Sequence, residues 1–238
     1  MTLNEKEFIQ KGYTIFKLDN YSELKEKMSK VVGIENFNLL HTSIDEKDLN
    51  SKRLSFINEL KKEKINICIA QELKEGLSKL LGPDMAIQKN VNLTIQVPNS
   101  TEGILDFHTD TWCGNSHFEI GIWIPFTNCY ESKSMYIVDK KESLEIWDNY
   151  INKGLKLSDI VLKDKNYLDI KEGEVLLFSP NLIHGSDVNK TSETRVSLNF
   201  RAKSLFTPFE EKRMAEYFEV FSMGSVSKLA YEFKERAR

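Results

Sequence analysis

At 238 residues the chain is long enough for one large domain with a sizeable core, and 40% hydrophobic with 29% charged residues is an ordinary globular composition. A net charge of −3 offers no basic surface for a phosphate backbone, so no nucleic-acid partner is expected, and no stretch approaches the roughly 20 apolar residues of a membrane span. The polar start Met1-Thr-Leu-Asn-Glu-Lys-Glu lacks a signal-peptide core, and three cysteines (Cys68, Cys113, Cys129) without CxxC spacing fit a reducing cytoplasm better than a disulfide framework.

Residues 1–82 read as mostly helical. Leu24, Met28, Val31 and Val32 share one face of a helix over 21–32. Ser43 with Glu46 reads as a capping box opening a helix that carries Leu49, Leu54, Ile57 and Leu60. A further helix over 66–81 stops at Gly82-Pro83. His41 caps or packs locally, and Cys68, between Ile67 and Ile69, reads as core.

After Pro83 the character changes. Val91 to Val97 alternates strictly, with Val91, Leu93, Ile95 and Val97 on one face and Asn92, Thr94 and Gln96 on the other. The polar face meets either water, as antiparallel sheets often do, or a ligand. A strand should bring His108 and Asp110 to its end, followed by a loop with Gly114 and Asn115. The apolar run 120–126 predicts a strand covered on both faces, and 134–139 a shorter one. Residues 140–160 read as an inserted irregular helix ended by Gly154, either a cover for a site or a surface helix. A buried strand at 173–178 precedes His184. In the strand from 195, Arg195, Ser197, Asn199 and Arg201 share one face, and Val196, Leu198, Phe200 and Ala202 the other. Thr207-Pro208-Phe209-Glu210 predicts a helix start, with Met214, Tyr217, Phe218 and Phe221 at helical spacing, and a last helix runs from about 225. These apolar faces pack on their own domain or form a homodimer contact. The elements together predict an α+β fold with a mainly β core.

The chemistry concentrates in Phe107-His108-Thr109-Asp110-Thr111. In extended backbone, residues two apart leave the same side, so His108 and Asp110 offer an imidazole and a carboxylate together. The chain has four histidines, His41, His108, His117 and His184, and His184 is followed eleven residues later by Arg195-Val196-Ser197. Two histidines and one carboxylate can hold one face of an iron ion and leave the other open. An HxD pair alone is weakly specific; the order HxD, long gap, His, RxS is much more so. His117 lies in the loop beyond Asp110 and reads as a surface residue or a support for the ligands.

On these residues the sequence resembles the Fe(II)- and 2-oxoglutarate-dependent oxygenases, and most closely the phytanoyl-CoA-dioxygenase-like branch with its bacterial members encoded near surface-carbohydrate genes. The narrower likeness rests on His108-Thr-Asp110-Thr-Trp-Cys-Gly114-Asn115-Ser116, Ile122-Trp123-Ile124-Pro125, Ser134-Met135-Tyr136, His184-Gly185-Ser186 and Arg195-Val-Ser-Leu-Asn-Phe-Arg201, within about residues 85–205. The resemblance implies a double-stranded β-helix of the jelly-roll or cupin type over 83–205, with an insertion near 140–165, a helical part at 1–82 and C-terminal helices at 206–238. It implies that His108, Asp110 and His184 bind Fe(II). It further implies that 2-oxoglutarate and O2 are co-substrates, and that Arg195 pairs with the far carboxylate of 2-oxoglutarate with help from Ser197. Asn92 and Gln96 are further candidates for co-substrate contacts, and Trp112, Asn115, Ser116, Trp123 and Tyr136 for the pocket wall. Halogenases of this type lack the carboxylate, so Asp110 points to hydroxylation or desaturation. A small polar substrate such as a sugar or nucleotide-sugar is expected. Competing readings are a cupin-like metal-dependent isomerase, which has no use for Arg195-Val-Ser197, and a non-catalytic carbohydrate-binding barrel.

Overall fold

The computed structural model describes residues 3–236. Helices α1 (Glu5–Lys11), α2 (Tyr21–Val32), α3 (Glu46–Lys62) and α4 (Ile65–Leu81) form the N-terminal part, interrupted by strand β1 (Tyr13–Lys17). The strands β2 (Met85–Gln88), β3 (Asn92–Gln96), β4 (Glu119–Pro125) and β5 (Met135–Ile137) follow. Then come α5 (Lys140–Lys153), β6 (Asn166–Tyr167), β7 (Glu174–Phe178), β8 (His184–Ser186), β9 (Arg195–Ser204), β10 (Phe218–Ser222) and α6 (Ser225–Arg236). All the strand pairings are antiparallel. A seven-stranded sheet runs β1-β7-β4-β9-β2-β10, with β3 beside the first half of β9, and a second sheet runs β6-β5-β8.

Alternation in β9 decides which side does what. Val196, Leu198, Phe200 and Ala202 join Leu93, Ile95, Ile122 and Ile124 in the main core, which α2, α3 and α4 close with Met28, Leu60, Ile69 and Leu73. On the opposite face the register sets Gln96 beside Arg195, Thr94 beside Ser197, and both Asn92 and Trp123 beside Asn199. That face looks towards the smaller apolar cluster of Trp123, Met135, Leu176 and Phe178. The expected split of β9 into a core side and a polar side is present, and the polar side is interior: Arg195, Ser197 and Arg201 are all buried.

Several local expectations give way. Residues 1–82 include β1, whose five residues pair with β7 along its length. Ser43 ends a 3-10 turn instead of capping α3, whose N-cap is Asp45, and the Glu46 carboxylate accepts from the Ser100 hydroxyl at 2.5 Å. Leu54 is exposed, and Phe56 takes the buried place with Leu49 and Leu60. His108 lies in no extended strand; it makes a single bridge to His184, and Asp110 opens a 3-10 turn.

The largest correction is at 207–224, where no helix forms. The Thr207 hydroxyl donates back along the chain to Ser204 O at 3.0 Å. Buried Lys203 takes the carbonyls of Thr207 and Pro208 at 3.1 and 2.6 Å, and Ser116 Oγ also donates to Pro208 O. The first carbonyls of a helix are therefore spent elsewhere, and Phe218–Ser222 instead completes the edge of β2. Of the expected C-terminal helices, only α6 is present. No helix among the described residues is long and apolar enough to cross a membrane.

Candidate metal centre

His108 and His184 are brought together by two backbone hydrogen bonds, each N–H to the other's C=O at 2.9 Å. Both side chains then use the same local device. The Nδ1–H of His108 donates to Asp106 O at 2.7 Å, and that of His184 to Leu182 O at 2.9 Å, in each case two residues back. This leaves both Nε2 lone pairs free, the tautomer a metal ligand needs. Phe178 packs edge-on against His184, with ring centroids 5.0 Å apart. Thr109 is extended (φ −112°, ψ 148°), so His108 and Asp110 do leave the same side. Ligand atoms of His108, Asp110 and His184 all lie within 4.8 Å of one another.

Burial alone would push the Asp110 carboxyl up, but Arg201 and the two histidines overcome it and hold it below the usual carboxylate range. Arg201 Nη2 donates to Oδ1 at 2.5 Å and Nε to Oδ2 at 3.1 Å. Burial pushes the His184 imidazole down to about 4, so it is neutral at physiological pH. One carboxylate and two imidazoles therefore converge, a set suited to a divalent transition metal.

The three residues line a cavity of about 780 Å³ together with Arg195. Arg195 is buried, and its Nε and Nη1 have no hydrogen-bond partner; neither do Ser197 Oγ nor Gln96 Oε1. Burial pushes the pKa of Arg195 down, with only the Cys129 thiol opposing. Buried polar groups are normally satisfied, so a guanidinium with two unpartnered nitrogens on a cavity wall fits an anionic group. Gln96 Nε2 donates to Asp187 O at 2.6 Å, and Asn92 Nδ2 to Asn199 Oδ1 at 2.9 Å; of these, Asn92 and Asn199 line the cavity.

Among the expected wall residues, Asn115 and Trp123 line the cavity. Trp112 instead stacks near Trp147 and Tyr150, Ser116 bonds Pro208 O, and Tyr136 packs on Tyr167. No residue of α5 lines the cavity; this helix buttresses the loop after Asp110 through Trp147, which also meets His117. His117 Nδ1 bonds Asn181 Oδ1 at 2.5 Å, and His41 bonds Thr194, both apart from the group of His108, Asp110 and His184. Sequence reading undervalued Arg201, whose place on the polar face of β9 also fitted a solvated side chain. It missed Asn50 and Arg53 of α3, Lys212 and Tyr217, for which no spacing pattern exists.

Comparison with known proteins follows this geometry. No family model matches the chain. The streptomycin biosynthesis protein StrG of Streptomyces griseus is 24% identical over 155 residues, spanning 59% of this chain and 64% of that protein, less than two thirds of its length. The non-haem monooxygenase ThoJ superposes with a TM-score of 0.62 at 13% identity, covering 92% of this chain and 84% of that one. The chain has the fold of a non-haem oxygenase. HygX from Streptomyces hygroscopicus, solved with nickel and 2-oxoglutarate, matches with a TM-score of 0.56 at 14% identity over 90% of this chain and 92% of its own. EctD from S. alaskensis matches at 0.57 with 18% identity over 87% and 78%. The likeness inferred from HxD, His and RxS therefore holds at the level of fold.

Proposed function

We propose that the protein is an Fe(II)- and 2-oxoglutarate-dependent oxygenase that hydroxylates a small polar substrate, its two sheets being the halves of a double-stranded β-helix. The observation that carries this reading is the pairing, in one cavity, of the His108–Asp110–His184 ligand set with a buried arginine whose Nε–H and Nη1–H groups have no partner. A metal-dependent isomerase or a sugar-binding barrel gives no reason for that arginine.

The donor set fits Fe(II), and the orphaned Arg195 and Ser197 fit the far carboxylate of 2-oxoglutarate. Iron bound there supplies the oxidation: 2-oxoglutarate and O2 are converted to succinate and CO2 as one oxygen atom enters a substrate C–H bond. The chain's own residues do the rest. The Nδ1 hydrogen bonds of His108 and His184 aim their Nε2 atoms, and Arg201 keeps Asp110 ionised. Arg195 and Ser197 orient the co-substrate, with Gln96 beside Arg195 on β3 and Asn92 further along that strand, opposite Asn199. Trp123, Met135 and Phe178 give the cavity an apolar side that limits water.

Substrate class follows from the outer wall. Asn50, Asn92, Asn115 and Asn199 offer hydrogen bonds beside Trp123, a mixture suited to a sugar. Among the described residues Arg53 is held by neutral acceptors, Asn50 Oδ1 and Leu93 O, and the Lys212 ammonium lies over the Tyr217 ring at 5.4 Å, so both charges remain available to a phosphate. A nucleotide-sugar of a surface-polysaccharide pathway satisfies both features, and the likeness to a streptomycin biosynthesis protein is in keeping with small-molecule tailoring.

The test is to add Fe(II) and then 2-oxoglutarate to metal-free protein under argon and record the visible spectrum. A weak charge-transfer band that requires both additions supports the reading. Tight Zn(II) or Mn(II) binding with no such band overturns it. Succinate release on adding nucleotide-sugars, and not the free sugars, tests the substrate class.

A further inference from the structure

Resting on that reading, the geometry of Arg201 assigns it a role of its own. Its guanidinium meets Asp110 fork-on, one N–H to each oxygen, with the two side chains 8% and 3% exposed. Such a fork uses the inner lone pair of both carboxylate oxygens, the ones that face each other across the group. Those are the lone pairs a metal needs in order to chelate through both oxygens. Fork and chelate exclude one another, so with Arg201 in place the metal has only an outer lone pair of one oxygen. Oδ1 is the oxygen on the side of the histidines: it lies 4.0 Å from His184 Nε2.

The fork is itself braced. Arg201 Nη1 donates to Asn199 Oδ1 at 3.3 Å and Gln88 Oε1 at 3.5 Å, and Asn92 Nδ2 donates to the same Asn199 oxygen at 2.9 Å. The guanidinium is tied to β2 and β9, and through Asn199 to β3, before it reaches Asp110. A pair whose only task was to neutralise charge would not need these further anchors.

We propose that Arg201 is a positioning residue that makes Asp110 a one-oxygen ligand and so keeps a coordination position open on the metal. Three protein donors and two from a keto acid leave one position of an octahedron for the gas. A two-oxygen Asp110 would fill it.

The experiment uses wild type, Arg201→Met and Arg201→Lys, each checked by far-UV circular dichroism. Ni(II) affinity is measured by calorimetry, and the anaerobic Fe(II)–2-oxoglutarate complex is exposed to nitric oxide, an O2 stand-in read by its electron paramagnetic resonance signal. Arg201→Met should weaken Ni(II) by about 10–100-fold, the usual cost of removing a partner that orients a ligand, but still bind it, and lose most of the nitrosyl signal. Arg201→Lys, which can engage one oxygen at a time, should recover part of it, and it carries the test alone if the Met variant does not fold. A nitrosyl signal at wild-type strength in a folded variant overturns the proposal. Loss of Ni(II) binding in both folded variants overturns it too, because Arg201 would then assemble the site and not set its ligation. The wild-type charge-transfer band reports separately on the oxygenase assignment: its absence overturns that reading, whereas a present band with undiminished nitrosyl in the variants overturns only the role of Arg201.

Discussion

Asp110 and Arg195 occupy opposite electrostatic situations in one cavity. Asp110 has its counter-charge in place and gives the ligand set its only anion, so Asp110→Ala should lose succinate release coupled to substrate; full release in that variant would remove it from the centre. Arg195 has no such partner in the chain. Its truncation to Ala should weaken 2-oxoglutarate by about 2–5 kcal/mol if the pairing is buried as the free guanidinium is, and calorimetry with wild-type affinity would show that the carboxylate lies elsewhere. The cysteines make a separate residue-level prediction. Cys113 is exposed on the cavity lining, while Cys129 is fully buried with its thiol pushed up to about 11. A thiol reagent at pH 8 should label Cys113 quickly and Cys129 only on unfolding, because the thiolate is the reacting form.

At the scale of elements, the centre depends on how β4, β7 and β9 are registered. Gly121 on β4 pairs with Phe178 on β7, and a Cβ at Gly121 would come within 2.4 Å of the Phe178 ring. That ring is the wall against His184. Gly121→Ala should therefore cost about 1–3 kcal/mol by overpacking, lower the melting temperature and weaken metal binding together; a drop in stability with unchanged Ni(II) affinity would separate Phe178 from the ligand's placement. Residues 207–224 show the reverse lesson. The capping signature at Thr207 and Glu210 is genuine as a local pattern, but Lys203 and Ser116 claim the carbonyls and β2 offers an unpaired edge. Local propensity lost to a tertiary partner that sequence spacing does not show.

Across the whole molecule, the three candidate ligands come from the turn after residue 105 and from β8, so binding an ion would tie together two segments far apart in the chain. Anything that binds only the folded state stabilises it by mass action. Metal at a hundredfold excess over its Kd should add about 2.7 kcal/mol, a rise in Tm of about 5–10 °C for a chain of this size. Scanning calorimetry with and without Ni(II) reads this, and Asp110→Ala should abolish the shift.

The sequence by itself determined which residues are the candidates, His108, Asp110 and His184 for a metal and Arg195 for the co-substrate, together with the two faces of β9 and the helices at 21–32 and 66–81. Each is a matter of spacing: period two on a strand, period 3.6 on a helix, or a short motif in a set order. Only the tertiary structure decided that the polar face of β9 is buried, that Arg201 clasps Asp110, that β1 and β2 are strands, and that α3 and the 205–217 segment supply the cavity mouth. Those outcomes depend on which distant groups meet, His108 with His184 across 76 positions or Arg201 with Asp110 across 91. Hydrogen bonds and ion pairs of that reach follow from sheet register and burial, neither of which leaves a mark at a fixed spacing in the chain.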